Sequence, residues 1–534
     1  MGKPRTSEMS FCRFGGCCCG QSADPGESGA LSRRAFLAAA GTAAAGAVRQ
    51  FPLGAGTAGP GLQAAPSSKP NSNARQQPIH VPLRVQPVFN CEIYERKPAA
   101  SWRVTGAIQD ERELQEEEAR IRHDLAEMTA SANFPLEVRP LATVRSVNQA
   151  TAIAKGDFDV LVIYAARRNL PVLEALAAND KWNLMFVRHQ SGPLYYMYIG
   201  AHTHFLRKRR DDFGQPNMDA RDIVVDDHGE LLWRLRALYA LKNLLGKRIV
   251  AVGGPGGWGA DGAEAPKRAQ DLWKLDIRTV SYPELGERIQ KARQNQAIVD
   301  RCRGQAEKYL KQQGVSLETT REFVDRAFLL TEVFRDLLDE AQADAITINA
   351  CMSTIMPISE TTACLPLSLL NDEGYLAFCE SDFVVIPAGI LLHYISGTPV
   401  FFGNPSLPHR GTVTVSHCTA PARMDGKRLE PTRIVTHYES DFGAAPKVDM
   451  KKGQRITVIN ADFDSRRWLG FEAEILDTPF YPICRTQLDL RILGDWERLL
   501  DEVKGFHWMV AYGSHLRETG YAMKKAGVGW LAVT

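Results

Sequence analysis

The sequence carries little net charge. Its 64 lysines and arginines nearly balance its 62 aspartates and glutamates, which leaves a formal net charge of +2 over 534 residues. Proteins that bind nucleic acid electrostatically usually carry a clear basic excess or a basic stripe. A basic patch at 207–212, "RKRRDD", also contains two acids and is typical of a solvated surface connection. The charge therefore argues against a nucleic-acid partner.

Membrane-spanning runs are scarce as well. A weakly apolar run of about 14 residues follows Arg33 and Arg34, whereas a helix needs about 20 apolar residues to cross a bilayer. "LSRRAF" followed by this run resembles a twin-arginine export signal, and a Gly-, Pro- and Ser-rich stretch comes after it. We therefore expect residues 1–75 to be an export signal and a disordered linker. The mature protein should be periplasmic or otherwise extracytoplasmic, without stable membrane insertion.

Paired cysteines are missing from the chain beyond residue 75, because no C-x-x-C motif occurs there. The cysteines of this part are odd in number and widely spaced, and their neighbours are apolar. They are Cys91, Cys302, Cys351, Cys364, Cys379, Cys418 and Cys484. This pattern predicts small buried core residues rather than a disulfide framework, and the spacing gives no support to a thiolate zinc site.

The length suggests about three domains. Short apolar runs alternate with amphipathic segments over 76–210 and 211–405, which predicts two α/β domains of Rossmann type with parallel sheets. Over 406–534 the runs are rich in β-branched residues and are separated by turns, and a closing helix follows. This texture predicts a β-rich, barrel-like C-terminal domain. The fold class is therefore α/β with a β-rich end.

A glycine-rich turn, "GGPGGWG" at 253–259, follows a buried strand. Such a turn can cradle a phosphate group. Its spacing matches neither G-x-G-x-x-G nor a P-loop, and a proline interrupts it. The sequence therefore favours a tight turn at a strand end, beside a cleft.

Acids stand at both ends of the apolar segment 360–383, "ETTACLPLSLLNDEGYLAFCESDF". Glu360 precedes a predicted helix, and Glu380 and Asp382 follow a predicted strand at its carboxyl end, where α/β sheets bind ligands. Taken singly, Glu360 could complement a helix dipole and Asp382 could cap a helix. Taken together, we expect the three acids to converge on one crevice. A divalent metal with oxygen ligands would relieve their repulsion.

Histidine could complete such a site. His417, His437 and His507 each lie beside a predicted strand and close to a turn. A lone histidine on an apolar strand is more often a buried core residue than a ligand, and spacing does not choose among these three.

The segment 360–383, the "HCTAP" that follows at 417–421 and the late "GFHWMVAYGSHLRE" together resemble the L-fucose isomerase and L-arabinose isomerase-like family. The resemblance is clearest over 345–420 and 505–520. It implies a divalent ion, usually Mn²⁺, held by Glu360, Asp382 and His507. It also implies that Glu360 and Asp382 move protons, so that an aldose such as a deoxyhexose or pentose becomes a ketose through an enediol.

The same resemblance assigns His417, Glu380 and Gln86 to substrate binding. The family carries an Arg-Pro on its first strand, whereas this chain has Gln86 before Pro87, so that a substrate contact differs. The family further implies a homo-oligomer, a trimer or hexamer. Two other functions stay open at this point. One is an exported carbohydrate-active enzyme of another type (epimerase, lyase or hydrolase), and the other is a non-catalytic periplasmic sugar-binding protein.

Overall fold

The computed structural model describes residues 78–103, 105–212 and 214–534. The predicted export signal and linker at 1–75 lie outside the described residues. Residues 77–534 form one compact unit by their contacts. Within the described part of the chain, no helix is both long and apolar enough to span a membrane.

The first α/β region is built on a parallel sheet in the order β2-β1-β4-β5-β6, with β3 also paired to β1. Its strands are β1 (Leu83–Asn90), β2 (Leu136–Val138), β3 (Ala142–Val144), β4 (Val160–Ala165), β5 (Trp182–Val187) and β6 (Ile223–Val225). Its helices are α1 (Glu111–Ser131), α2 (Val147–Ala154), α3 (Leu170–Ala177) and α4 (Met197–Gly200). All six residues of β4 are buried, as expected for a parallel strand covered on both faces.

The second α/β region has a four-stranded parallel sheet in the order β11-β10-β7-β8. The strands of this sheet are β7 (Arg248–Val252), β8 (Asp276–Val280), β10 (Ala345–Ile348) and β11 (Leu376–Phe378), and the short strand β9 (Val315–Leu317) lies outside it. Its helices are α5 (His228–Leu244), α6 (Ala265–Trp273), α7 (Tyr282–Gln294), α8 (Gln296–Leu310), α9 (Arg321–Ala341), α10 (Met356–Ser359), α11 (Cys364–Asp372) and α12 (Ile386–Ser396). Short 3₁₀ and π-helical turns lie at Ala220–Asp222, Gly262–Glu264, Ala201–Leu206 and Cys351–Ile355.

The last region contains the remaining elements. Its strands are β12 (Phe401–Pro405), β13 (Thr412–His417), β14 (Thr432–Val435), β15 (Ala445–Val448), β16 (Arg455–Ala461), β17 (Arg467–Asp477), β18 (Thr486–Ile492), β19 (Trp508–Tyr512) and β20 (Gly529–Val533). Its helices are α13 (Trp496–Glu502) and α14 (Leu516–Ala526).

Six of these strands close into an antiparallel barrel in the order β16-β19-β12-β13-β18-β17, and the pairing of β16 with β17 completes the ring. The barrel encloses its own apolar core, which includes Phe401, Val458, Phe471 and Trp508. Strand β20 extends the barrel by parallel pairing with β17, and β14 pairs with β15 and with β9. The predicted fold class, two parallel α/β sheets followed by a β-rich barrel, is confirmed.

Candidate functional site

Three elements, namely two loops and the start of β19, meet where the second sheet faces the barrel. The loop after β7 contains the glycine-rich turn, and the loop after β11 contains Glu380 and Asp382. Gly256 N–H donates to the carbonyl of Ser381 at 3.2 Å, and Phe383 N–H donates to the carbonyl of Gly256 at 3.1 Å. Both loops leave the carboxyl ends of parallel strands, the edge at which such sheets bind ligands. The sequence favoured a tight turn at a strand end, and the structure places this turn against the segment that contains the acids.

Asp382 and His507 are joined across this junction. His507, directly before β19, is fully buried and its Nδ1 lies 2.7 Å from Asp382 Oδ2. The other carboxylate oxygen of Asp382 accepts hydrogen bonds from the backbone N–H groups of Trp258 and Val384, both at 3.2 Å. Because a carboxylate only accepts, Nδ1 carries the proton. Asp382 thereby fixes the orientation of the imidazole ring and leaves Nε2 as its second functional atom.

Glu380 lies between two imidazoles. Its Oε1 is 3.3 Å from His417 Nε2, and its Oε2 is 3.3 Å from His507 Nε2. His417 ends strand β13, and its Nδ1 lies 3.0 Å from Thr419 Oγ1. Glu380 and Ser381 adopt φ angles of 62° and 45°, a conformation that residues with a side chain seldom adopt and that is enriched at functional sites.

The four side chains form a charged group inside the protein. For the Glu380 carboxyl, burial acts to raise the pKa, but His417 and His507 outweigh it and hold the pKa well below its ordinary value. For His507, burial acts to lower the pKa, but Asp382 and Glu380 outweigh it and raise the pKa to about 9. At neutral pH the metal-free site therefore holds ionised Glu380 beside a protonated His507. Strongly perturbed groups of this kind are typical of functional sites.

Two of the facing atoms lack hydrogen bonds. Glu380 Oε2 and His507 Nε2 lie 3.3 Å apart, and neither atom has a well-formed hydrogen bond among the described residues. A buried polar atom without a partner is costly, and a bound cation would satisfy the carboxylate of Glu380.

The donor atoms at this place suit a divalent metal. One sulfur, one carboxylate oxygen and one imidazole nitrogen, from Cys379, Glu380 and His417, all lie within 4.8 Å of one another, and all three residues are buried. Imidazole and carboxylate ligands bind Mn, Fe and Zn ions. The residues present thus fit a divalent metal, with Glu380 rather than Asp382 facing the site.

Aromatic rings surround the group. Phe402 of β12 packs against both imidazoles, with ring centroids 4.3 Å from His507 and 4.8 Å from His417. On another side, Trp258 stacks on Phe506 at 4.6 Å, and Phe506 lies 4.6 Å from His507. Trp258 and Phe506 are partly exposed, whereas the charged residues behind them are buried. The aromatic pair therefore lies between solvent and the charged group.

Glu360 is not brought to this group, which corrects the expectation that it faces Asp382 across a metal. It follows α10 with a φ of 52°, and its carboxylate oxygens pair with Arg293 at 3.0 Å and with Arg326 at 3.2 Å. The side chain is 48% exposed. Among the described residues no ion pair links Glu360 to His507 or Asp382. Two guanidinium groups from α7 and α9 engage both of its oxygens, so this acid is a surface ion-pair partner.

Gln86, the other expected substrate ligand, lies in the first α/β region. It lies in β1, in the first α/β sheet, and is 9% exposed. Its Nε2 donates to the backbone carbonyls of Pro87 and Pro140, at 3.0 and 3.1 Å. The amide nitrogen therefore forms its hydrogen bonds within the first sheet, to the backbone of β1 and of the segment just before β3.

Sequence reasoning missed part of the site. Glu380, expected to contact the substrate, lies 3.3 Å from both His417 and His507, and the sequence did not indicate the contributions of Cys379, Phe402 and the Trp258 backbone. The motif "CESD" did contain a signal, because it places a thiol and two carboxylates directly after the carboxyl end of a strand. His437, the third candidate histidine, contacts the Cys418 thiol instead.

Comparisons with known proteins identify no family. No protein-family model matches the sequence, and no curated protein is similar to it. Among solved structures, the chain is similar to a carbohydrate transporter from Acidothermus cellulolyticus 11B, crystallised in complex with myo-inositol. The identity is 11%, the match covers 60% of this chain and 89% of that chain, and the TM-score is 0.15.

Proposed function

We propose that the protein is a metal-dependent intramolecular oxidoreductase, an aldose–ketose isomerase that acts on a sugar such as a deoxyhexose or pentose. One observation carries the proposal: the buried side chains of Glu380 and His507 face each other at 3.3 Å, beside His417. Such an arrangement offers both a cation site and groups that transfer protons. Isomerisation of a sugar needs both, because a proton leaves C2, another reaches C1, and an enediol lies between.

Glu380 and His417 would hold the cation. Their facing atoms lie 3.3 Å apart, and Glu380 reaches the second imidazole, His507, with its other oxygen. A divalent ion bound there would polarise the oxygens on C1 and C2 of the sugar and so favour loss of the C2 proton. Protein ligands from two elements, the loop after β11 and the end of β13, would fix it in place.

His507 and Asp382 would move the proton. The Nδ1–H bond to Asp382 holds the ring, so that Nε2 is the atom that accepts and donates. This is the arrangement in which a buried carboxylate orients a histidine for acid–base work. Glu380 Oε2, 3.3 Å from Nε2, is placed to exchange a proton with the same substrate face.

Trp258 and Phe506 support a sugar as the substrate class. A sugar ring has an apolar C–H face and polar edges, and partly exposed aromatic side chains beside a few polar groups suit such a ligand. The stacked pair lies next to His507, with ring centroids 5.7 Å from Trp258 and 4.6 Å from Phe506. A sugar packed on these rings would bring its hydroxyls to the charged group.

The proposal is tested by metal analysis of the purified protein and by a panel of aldoses and ketoses assayed in D₂O. We expect a bound divalent metal, interconversion of at least one aldose–ketose pair, and solvent deuterium at C1 or C2. A chelator should abolish the conversion.

Two variants with the same substitution sharpen the test. Glu380→Gln should lose both metal and activity, whereas Glu360→Gln should keep both, because Glu360 is a surface residue paired with Arg293 and Arg326. Undiminished turnover in Glu380→Gln would refute the proposal. Sugar binding by calorimetry without any deuterium exchange would identify a binding protein instead.

A further inference from the structure

Cys379 is the last residue before Glu380 and lies at the carboxyl end of strand β11. Its Sγ, a carboxylate oxygen of Glu380 and an imidazole nitrogen of His417 are within 4.8 Å of one another. The thiol is buried, and so are both other side chains. The cation site therefore has a sulfur atom among its nearest possible ligands, in addition to the carboxylate oxygen and the imidazole nitrogen.

We propose that Cys379 is a metal ligand, so that the site is a mixed sulfur, nitrogen and oxygen site that prefers Zn²⁺ to Mn²⁺ or Mg²⁺. This inference rests on the proposed cation site and concerns the identity of its metal. Thiolate ligands favour zinc over the harder cations, which take oxygen ligands. Three protein ligands with one open position is the arrangement of catalytic zinc sites.

The observed spacing is close to what zinc needs. Bond lengths of about 2.3 Å to sulfur and about 2.0–2.1 Å to nitrogen and oxygen place tetrahedral ligands roughly 3.3–3.8 Å from each other. The separations here reach at most 4.8 Å, and the carboxylate and imidazole are already 3.3 Å apart. Small rotations of the side chains would close the set. Glu380 Oε2, which has no hydrogen bond, gives the carboxylate room to turn.

The neighbouring thiols have other contacts. Cys418 follows His417 in sequence, but its sulfur contacts the thiols of Cys364 and Cys484 and the imidazole of His437. Cys351 also lies close enough to feel the charge of Glu380, and it takes a backbone hydrogen bond from Ala363. Neither belongs to the group that includes Glu380 and His417. Cys351 and Cys418 are therefore matched controls for Cys379, as buried thiols outside that group.

Cobalt replaces zinc at such sites and reports sulfur ligation by a near-ultraviolet charge-transfer band. We expect the full-length protein loaded with Co²⁺ to show this band, Cys379→Ser to lose it, and Cys351→Ser and Cys418→Ser to keep it. X-ray absorption of the Zn²⁺-loaded wild type requires no variant and should show a sulfur neighbour at about 2.3 Å. In competition, Zn²⁺ should displace Mn²⁺ from the wild type.

A metal shell of nitrogen and oxygen alone would overturn the inference, as would a band that survives in Cys379→Ser. Either of these with intact sugar turnover would leave the proposed isomerase standing. A sulfur-ligated metal without turnover of any sugar would support the inference and refute the proposed isomerase. Failure of the wild type to bind Zn²⁺, Co²⁺ or Mn²⁺ would refute the inference together with the cation site.

Discussion

His507 and Asp382 are 125 positions apart in the chain, yet their side chains meet at 2.7 Å, between the barrel and the second α/β sheet. The carboxylate is itself held by the backbone N–H groups of Trp258 and Val384. Three segments thereby determine where one imidazole ring lies. Because the ring faces Glu380 with its other nitrogen, the geometry of the charged group depends on this bond.

Asp382→Asn should lower the pKa of His507 from about 9. The amide preserves the shape of the side chain but removes a negative charge that favours the protonated ring, and burial of the ring then counts for more. NMR titration of the His507 ring in metal-free protein measures the change. Activity should fall about 10²- to 10⁴-fold, the contribution typical of a positioned acid–base group whose orienting carboxylate is removed.

Asp441→Asn is the control for this change, because Asp441 is 90% exposed. The control should leave both the titration of His507 and the activity as they are. An Asp382→Asn protein in which His507 still titrates near pH 9 would show that Glu380 alone sets the pKa of the ring.

The stability of the metal-free protein should fall with rising pH above neutrality. The pKa of His507 is about 9 in the folded chain, against an ordinary value of 6.5, so the folded state binds the proton more tightly. The stabilisation is complete below about pH 6.5 and is lost as the pH rises through about 9. A shift of this size corresponds to an upper bound on the order of 3 kcal/mol in the free energy of unfolding.

Denaturant unfolding between pH 6 and pH 10, in the presence of a chelator, tests this dependence. His507→Gln should flatten the slope, whereas His409→Gln, at an exposed position, should not change it. A slope that persists in His507→Gln would assign the effect to another group.

Much of the fold could be predicted from the sequence, because its signals are local. Buried runs such as "VLVIYA" in β4 indicate parallel strands, and the β-branched runs after 408 indicate the barrel. The site was only partly predictable, because it depends on contacts between distant segments. Glu380, Asp382, His417 and His507 were all named as candidates, but their relative positions follow from the packing of the barrel on the sheet.

The position of Glu360 could not be predicted from the local sequence. The sequence pattern predicts a helix that starts at Glu360, but the structure has α10 ending directly before it and α11 starting at Cys364. The turn between the two helices directs the carboxylate toward Arg293 of α7 and Arg326 of α9. The position of this carboxylate depends on two arginines that are distant in the sequence, and no local sequence pattern indicates them.

Gly257→Ala should disturb the site through the glycine-rich turn. A Cβ at this position would lie 2.6 Å from the Cβ of Ala265 and 2.8 Å from the carbonyl oxygen of Gly262. The backbone must therefore shift, which costs about 1–3 kcal/mol in the free energy of unfolding. The shift would also move the adjacent Trp258 N–H away from Asp382.

Gly256→Ala makes a matched control one residue away. Its Cβ would approach Asn349 Nδ2 no closer than 3.7 Å, an ordinary contact, so stability and the His507 titration should stay near those of the wild type. Denaturant unfolding of the two variants measures the difference. Equal stabilities would show that the turn is free to move without affecting the site.

Trp258→Ala should weaken substrate binding without stopping the chemistry, if the aromatic pair receives the sugar. Only the backbone N–H of Trp258 contacts Asp382, so the bond that orients His507 does not need the indole ring. Loss of one aromatic face is worth about 0.5–1.5 kcal/mol, which raises KM about 2- to 10-fold with little change in kcat. Trp258→Phe keeps an aromatic face against Phe506 and should recover most of the affinity. Steady-state kinetics on the active sugar separates the two parameters. A large fall in kcat at unchanged KM would contradict the prediction. It would mean that the indole positions the loop that holds Asp382 and does not bind the substrate.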